Sequence, residues 1–340
     1  MNRRSFIKLS GLLVAGTASM GILSVASHGC GFRKNLHRVS ETRMAMGTFV
    51  TMTLMHTSQD EAEETIDRVF KEIDRLADLM DRFDESTPVA RLNREGVIED
   101  APPEMIEVIS GGLYHHQLTG GSFDISVKPV VDLFEKKMDH GKEVLPMERE
   151  LKEALALVDS HQIELEGRSV RFKKPGMGIT LDGIAKGYAV DRASEMIASL
   201  GIKDHLINAG GDIRTMGSKG GQRPWAVAIQ DPQKGKDYPD IVHMNEGAIA
   251  TSGDYENFYD WDRRFHHIVN PKTGLSPEQT SSVSVMGPKT MDADALATAV
   301  LVMGPDQGIR FSDSLPQYES LIITKDGSQL KSKGWRSAAK

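Results

Sequence analysis

The chain runs to 340 residues, with 41 lysines and arginines against 48 aspartates and glutamates, a formal net charge of -7, 39% hydrophobic residues and one cysteine. That much apolar side chain offsets the entropy of ordering, so a wholly disordered chain is excluded, and a single Cys excludes a disulfide scaffold. Residues 1–43 hold seven basic side chains against Glu41 alone, a local charge of +6 that leaves -13 on the remainder. A body so acidic does not bind nucleic acid by neutralising phosphates.

Arg3 and Arg4, with Phe6 and Lys8, precede an uncharged, largely apolar run from Leu9 to Ala26. Gly and Ser interrupt that run too often for a membrane span. Residues 1–29 read as an export signal of the twin-arginine type, used by proteins exported folded; the competing reading is a short N-terminal anchor helix. Cys30 follows in Ala26-Ser27-His28-Gly29-Cys30. Gly29 suits the position before an acylated Cys, while Ser27 and His28 depart from a lipoprotein signal. A lipid anchor through Cys30 and a free thiol in a discarded peptide or tether therefore stand side by side. The rest of the chain has no Cys, which suits an oxidising compartment. The expected location is the periplasmic side, with attachment to the inner membrane as a lipoprotein if Cys30 is acylated. Residues 30–43, basic and Gly-containing, read as a linker.

In the body, Thr48 to Leu54 alternates and is rich in β-branched residues, which predicts a strand. Ser58 with Glu61 makes a capping box, and Ala62, Ile66, Phe70, Ile73, Ala77 and Met80 recur at helical spacing. A turn from Asp84 to Pro88 and a short loop lead to a helix that starts near Pro103 or Glu104 and ends before Gly120-Gly121. Ile163, Leu165, Val170 and Phe172 alternate about Glu166-Gly167-Arg168, a strand pair on a tight turn. A helix from Ala185 to Leu200 stops at Gly201. Strands are expected at His205–Asn208, Trp225–Ile229, Ala248–Ser252, His266–Val269, Ser281–Met286 and Ser320–Thr324, with a helix at Asp294–Val302. No regular βαβ beat appears, so the expected class is α+β, mixed β-sheets with flanking helices in two intimately joined subdomains.

Three segments carry chemistry. In Thr180-Leu-Asp-Gly-Ile-Ala-Lys-Gly-Tyr188 the chain enters a helix through Gly183 with Lys186 in the first turn. Either a helix N-terminus and an ammonium meet a phosphate there, or Asp182 caps an ordinary turn and Lys186 is solvated. Asn208-Ala-Gly-Gly-Asp212 lets a ligand approach backbone closely. Asp294 and Thr298, four apart on one helix face, offer hard oxygen ligands of the kind Mg²⁺ takes beside phosphates; the alternative is a helix end capped by Asp292 or Asp294. His267, before a Pro/Gly turn, is placed as a general base would be, whereas His115-His116 reads as a partly exposed pair. No GxGxxG, Walker A, HExxH or CxxC sequence occurs.

Taken in order, Met46-Gly-Thr48, Phe123-Asp124, Gly183-Ile-Ala-Lys-Gly-Tyr188, Gly210-Gly-Asp212, Thr251-Ser-Gly253, His267-Ile-Val-Asn-Pro271 and Ala293-Asp-Ala-Leu-Ala-Thr298 resemble the FAD:protein FMN transferase (ApbE) family. The resemblance covers about residues 44–310 and implies an ApbE-like domain over 44–330. It implies an exported enzyme that splits FAD, its substrate, and attaches FMN through a phosphoester to a Thr or Ser of a partner, releasing AMP. Acceptors implied are subunits of membrane redox complexes and exported reductases. Mg²⁺ would be held by the backbone carbonyl of Gly183, by Asp294 and by Thr298, with Ala297 nearby. FAD would lie along Met46, Phe83, Ser122, Phe123, Asp124, Thr180, Lys186 and Ile268, and His267 would be the base. Two departures stand out: Thr180 and Asp182 replace the family's Asp and Gly, and Asn270 replaces an Asp. Competing functions are an FAD pyrophosphatase, with water in place of the acceptor, and a periplasmic FAD-binding protein without turnover.

Overall fold

A computed structural model describes residues 36–138, 145–221, 223–235, 237–255, 258–259 and 265–338. The expected export signal, Cys30 and the first part of the expected linker lie outside them. Strand β1 (His37–Ala45) pairs antiparallel with β2 (Thr48–His56), from His37 opposite His56 to Ala45 opposite Thr48. The linker reading is thereby corrected for residues 37–43. Charge hid this strand: its core-side positions include Arg43, whose guanidinium lies 4.5 Å over the Phe70 ring and pairs with Glu41 at 2.7 Å. A long cationic side chain can cover apolar surface while its head stays paired.

Helix α1 (Gln59–Met80) starts where the capping box placed it, the Ser58 Oγ accepting the Glu61 N–H at 3.3 Å, and buries Ala62, Ile66, Phe70 and Ile73. Helix α2 (Pro88–Glu95) occupies what the sequence presented as turn and loop. Thr87 Oγ1 accepts the Ala90 N–H at 3.1 Å, Pro88 fits the first turn, and Gly96 at φ 74 closes the helix. After β3 (Val97–Ile98) come α3 (Pro103–Leu118), α4 (Lys128–Met138) and α5 (Glu148–Leu155). The hairpin of β4 (Ile163–Glu166) and β5 (Ser169–Phe172) follows as expected, and joins β3 in a three-stranded sheet of order β3-β5-β4.

Helix α6 (Ala185–Ser199) leads into β6 (Asp204–Ala209) and β7 (Asp212–Met216). The chain continues through β8 (Trp225–Ile229), β9 (Asp240–Met244), β10 (Gly247–Gly253) and β11 (Thr280–Gly287). It ends with α7 (Thr290–Met303), α8 (Pro305–Ser314), β12 (Glu319–Thr324) and β13 (Gln329–Lys331). The main sheet has eight strands in the order β1-β2-β6-β7-β10-β11-β12-β13, each neighbouring pair antiparallel. The class is α+β.

One face of this sheet packs on helices, with Val50, Met52 and Ile207 against Ile66 and Phe70 of α1 and Val190 of α6, and Ala250, Val283 and Ile322 against Leu296 and Val300 of α7. On the other face the β8–β9 hairpin lays Val227, Ile229 and Val242 against Ile213, Ile249, Leu321 and Ile323. A further core gathers Leu92, Met105, Ile109, Val170, Ile179 and Leu181, and reaches Ala189 of α6 and Ala295 of α7. Helices α6 and α7 thus belong to both halves of the molecule. The folded body passes residue 330: Trp335 is buried and its indole N–H donates to Asp240 Oδ2 at 2.8 Å. Among the described residues no helix is long and apolar enough to cross a membrane.

The segment 266–269 is irregular rather than a strand, and among the described residues it touches the sheet pattern only through an isolated bridge from His266 to Phe258. Local bonds hold its two ends instead. The His266 N–H donates to Ser276 Oγ at 2.9 Å, and the Asn270 N–H to the Leu275 carbonyl at 2.8 Å.

Candidate active site

Two tight turns sit side by side at one end of the main sheet. Met46 and Gly47 (φ 50 and 71) join β1 to β2, and Gly210 and Gly211 (φ 61 and 101) join β6 to β7. Because Val50 pairs with Ala209, the turns are neighbours, and a Cβ on Gly210 would run into Thr48. Met46 is held in a left-handed conformation that non-glycine residues seldom adopt. Thr251 of β10 completes the row, its Cβ 3.7 Å from where a Gly211 Cβ would lie. Three motifs far apart in sequence therefore share one rim.

Beneath that rim α6 crosses α7 at a glycine. A Cβ on Gly187 would lie 2.5 Å from the Thr290 carbonyl oxygen and 2.8 Å from Met291 Cα, so only glycine permits this approach. Asp191 of α6 accepts the N–H groups of Thr290 and Met291 at 3.0 and 2.9 Å. That bond pair starts α7 four residues before the expected Asp294, which excludes Asp294 as a cap and puts it in the second turn. Its Oδ2 accepts the Gly187 N–H at 3.0 Å. One turn on, Thr298 Oγ1 lies 3.0 Å from Ser252 Oγ, and it would be 3.3 Å from a Cβ on Gly183. The Phe123 ring borders Gly183 at the same 3.3 Å distance.

Lys186 Nζ is 2.5 Å from Asp212 Oδ2, so the half-buried ammonium is tied to a carboxylate rather than left to solvent or a ligand alone. Asp212 is wholly buried, and burial pushes its carboxyl above the usual range while Lys186 opposes the rise. Burial likewise pushes Asp294 up to about 8, with Asp212 adding to the rise and Lys186 working against it. Two buried carboxylates share one ammonium, which leaves the patch short of positive charge. Among the described residues no three His, Cys, Asp or Glu side chains form a metal cluster. The oxygen set of Asp294, Thr298 and the Gly183 carbonyl carries one carboxylate only, and it fits a hard cation whose shell is completed by phosphates and water.

The other expected ligand residues border this patch in different ways. Ile268 is buried among Ala293, Leu296 and Ala297 of α7, which sets half-buried His267 beside that helix. Thr180 donates its N–H to the Ile125 carbonyl at 2.8 Å, and its Oγ1 accepts the Asp182 N–H at 3.3 Å. Asp182 does not cap α6; it pairs with Arg82 at 3.1 Å. Phe83 is 47% exposed and lies against the Arg82 guanidinium. Asn270 Oδ1 accepts the Lys272 N–H at 2.9 Å, a bond in which an Asp carboxylate oxygen could equally be the acceptor.

Ser122, Phe123 and Asp124 are all buried. Burial opposes ionisation of Asp124, but His116 Nδ1 at 3.0 Å and the hydroxyls of Ser126 and Ser160 at 2.5 and 2.6 Å hold its carboxyl below the ordinary range. The bond to Asp124 raises His116 in turn. The histidine pair is thus corrected from partly exposed to buried, because His116 serves Asp124 and His115 Nδ1 donates to the Gly111 carbonyl at 3.0 Å. Asp124 and His116 line a cavity of about 430 Å³ with Asp159, His161, Pro271 and Lys272.

Sequence reasoning gave no role to Asp212, Ser252, Asp191, Asn93 or Arg82. Asp212 and Ser252 lay inside recognised motifs, but their partners Lys186 and Thr298 are remote in sequence. Asn93 fastens the approach to Thr180, its amide donating to the Ile179 carbonyl at 3.0 Å and accepting the Ile179 N–H at 2.7 Å.

Known proteins resemble this chain over most of its length. The ApbE family model matches residues 46–322. An FAD:protein FMN transferase of Vibrio cholerae is 30% identical over 271 residues, 78% of this chain and 80% of its own. One from Escherichia coli K12 is 26% identical over 303 residues, 86% of this chain and 85% of its own. Among solved structures, the ApbE protein of Thermotoga maritima superposes with a TM-score of 0.80 at 29% identity, over 87% of this chain and 97% of that one. The flavin transferase ApbE from Vibrio cholerae superposes with a TM-score of 0.78 at 25% identity, over 88% and 98%. With the rim of turns, the α6–α7 crossing and the buried Asp294 in place, and a family match spanning most of its length, the chain belongs to the ApbE family.

Proposed function

We infer that the protein is an FAD:protein FMN transferase that splits FAD and joins its FMN half to a Ser or Thr hydroxyl of a protein acceptor, releasing AMP. The observation that carries this reading is the meeting of Thr298, Gly183 and Lys186, each partly exposed, around the buried Asp294 in a chain of this family. Asp294, Thr298 and the Gly183 carbonyl would hold Mg²⁺, with Ala297 backbone nearby. A divalent ion there supplies positive charge to the pyrophosphate of the substrate.

The chain's own residues do the rest. The Gly187 N–H holds the Asp294 carboxylate, Ser252 orients Thr298, and Asp212 sets Lys186 beside the incoming phosphates. Met46, Phe83, the Ser122-Phe123-Asp124 turn, Thr180 and Ile268 would border FAD. His267 takes the proton of the acceptor hydroxyl as that oxygen bonds to the FMN phosphorus; the P–O bond to AMP breaks and AMP leaves with the electron pair. Little covalent work falls to the enzyme, so placement and electrostatics carry the rate. Export through residues 1–29 would deliver it to the periplasmic side, where membrane redox subunits and exported reductases are the acceptors, with or without a lipid on Cys30.

The test is to incubate the protein with FAD and Mg²⁺, with and without an acceptor bearing a target Thr, and to follow AMP alongside flavin fluorescence in a denaturing gel. Equal AMP and a fluorescent acceptor band are expected. AMP without the band would replace the transferase by a pyrophosphatase, and intact bound FAD would replace it by a carrier.

A further inference from the structure

Helices α6 and α7 both begin without a side-chain cap of their own. Ile184 and Lys289 stand at the capping positions, and neither side chain accepts an N–H of its helix. An aliphatic chain and an ammonium have no lone pair to offer. Thr290 and Gly187, at the two helix starts, are buried, so their N–H groups need partners from elsewhere in the fold. Each helix takes them from the other. Asp191 of α6 accepts the Thr290 N–H at 3.0 Å with Oδ1 and the Met291 N–H at 2.9 Å with Oδ2. Asp294 of α7 accepts the Gly187 N–H, in the first turn of α6, at 3.0 Å. Arg214 of β7 adds a third anchor: its Nη1 donates to the Pro288 carbonyl just before α7 and lies 3.9 Å from Asp191 Oδ1.

We propose that Asp191 is a positioning residue for the metal site: by capping α7 from α6, with Arg214 as a second tether, it fixes the register of the two helices and holds the Asp294 carboxylate against α6. This rests on the Mg²⁺ reading of Asp294 above. A cap from the residue before a helix steadies that helix alone. A cap from a neighbouring helix makes starting the helix and docking it one event. Two carboxylate oxygens on two successive N–H groups fix both the rotation and the translation of α7 at its first turn, and the negative charge suits a helix N-terminus. Asp294 lies one turn beyond Thr290, and Asp191 one turn beyond Gly187. The two exchanges therefore bracket the close crossing at Gly187, and a slip at either one moves the other.

The experiment titrates the full-length protein, without FAD, with Mn²⁺ as a hard divalent probe, following the free ion by electron paramagnetic resonance and the melting temperature on the same samples. The site is the one lost in Asp294→Asn. Asp191→Ala should lower the melting temperature and raise the Mn²⁺ dissociation constant about tenfold, the scale for losing a group that supports a metal ligand. Lys289→Ser then separates capping from positioning. Residue 289 is exposed and its backbone is already extended (φ -129, ψ 141), as a serine cap requires. In the Asp191→Ala background it should return the melting temperature towards that of the wild type and leave Mn²⁺ affinity weak, because a local cap does not reach α6. If Asp191→Ala does not fold, Arg214→Met cuts the second tether and keeps both Asp191 bonds, and about threefold weaker binding is expected for the lost hydrogen bond. Trp335→Ala, which opens the core on the other face of the main sheet, should melt early and bind Mn²⁺ as the wild type does. Unchanged Mn²⁺ affinity in Asp191→Ala, or in Arg214→Met where that variant stands in, would overturn the proposal. So would affinity restored by Lys289→Ser, or an equal loss in Trp335→Ala. Wild-type protein that binds no Mn²⁺, or that binds it no better than Asp294→Asn, would overturn the metal reading itself.

Discussion

Replacing Gly187 by Ala tests the geometry of the site without touching a charged group. The new Cβ would lie 2.5 Å from the Thr290 carbonyl oxygen and 2.8 Å from Met291 Cα, both backbone atoms that cannot rotate away. Ordinary contact begins near 3.4 Å, so α6 and α7 must separate by roughly 0.9 Å to restore normal van der Waals distances. Overpacking of this kind costs about 1–3 kcal/mol, and the better helix propensity of Ala returns about 1 kcal/mol. A net loss of about 1 kcal/mol is expected in urea unfolding. The larger effect is local: the 3.0 Å bond from the Gly187 N–H to Asp294 would lengthen to roughly 3.9 Å, past hydrogen-bonding range. Asp294 then loses the donor that fixes it opposite Gly183. The Mg²⁺ concentration for half-maximal AMP release should rise on the order of tenfold, the scale seen when a group supporting a metal ligand is lost. If Gly187→Ala matches the wild type in both urea midpoint and Mg²⁺ dependence, the claim that this crossing sets the site is wrong.

Three further outcomes follow from individual residues. His267→Ala should bind FAD as the wild type does and slow transfer on the order of 100-fold, the usual contribution of a general base; transfer at the normal rate would remove His267 from that role. His205 is buried, with its Nδ1 facing the Ile202 carbonyl and its Nε2 accepting from Ser194, and burial pushes its pKa down to about 4. Because the folded value lies below the unfolded one, the stability linked to this group is complete above about pH 6.5 and is lost as pH falls towards 4, by roughly 3 kcal/mol in all. Urea unfolding at pH 7 and 4.5 should show that decline in the wild type and a smaller one in His205→Gln, and equal declines would refute the assignment. Trp335→Ala removes a buried indole and its bond to Asp240, and should cost about 3 kcal/mol; an unchanged melting temperature would mean the body ends earlier.

Local sequence determined the elements whose signals are self-contained. Ser58 and Glu61 announced α1, Glu166-Gly167-Arg168 announced the β4–β5 hairpin, and Gly201 closed α6, because capping, turn geometry and periodicity act over a few residues. The ordered motifs also identified the family, since each preserves a short backbone shape. What sequence missed depended on partners far along the chain. The strand of residues 37–43 looked like a basic linker until β2 and Phe70 accepted it, and His116 looked like surface until Asp124 claimed it. The segment 266–269 has strand-like residues, but Ser276 binds the backbone of His266 at its start, Leu275 binds Asn270 just past its end, and among the described residues no ladder forms.

The site itself belongs to tertiary structure. Antiparallel register alone brings Met46, Gly210 and Thr251 to one rim, and a glycine-permitted helix crossing brings Asp294 under Gly183 and Lys186. Spacing along the chain announced Asp294 and Thr298 as a pair, but neither Asp212 beside Lys186 nor Ser252 beside Thr298 could be read from it. The physical reason is range: hydrogen-bonded turns are settled within a few residues, whereas a buried charge is placed only when separate segments close around it and exclude water.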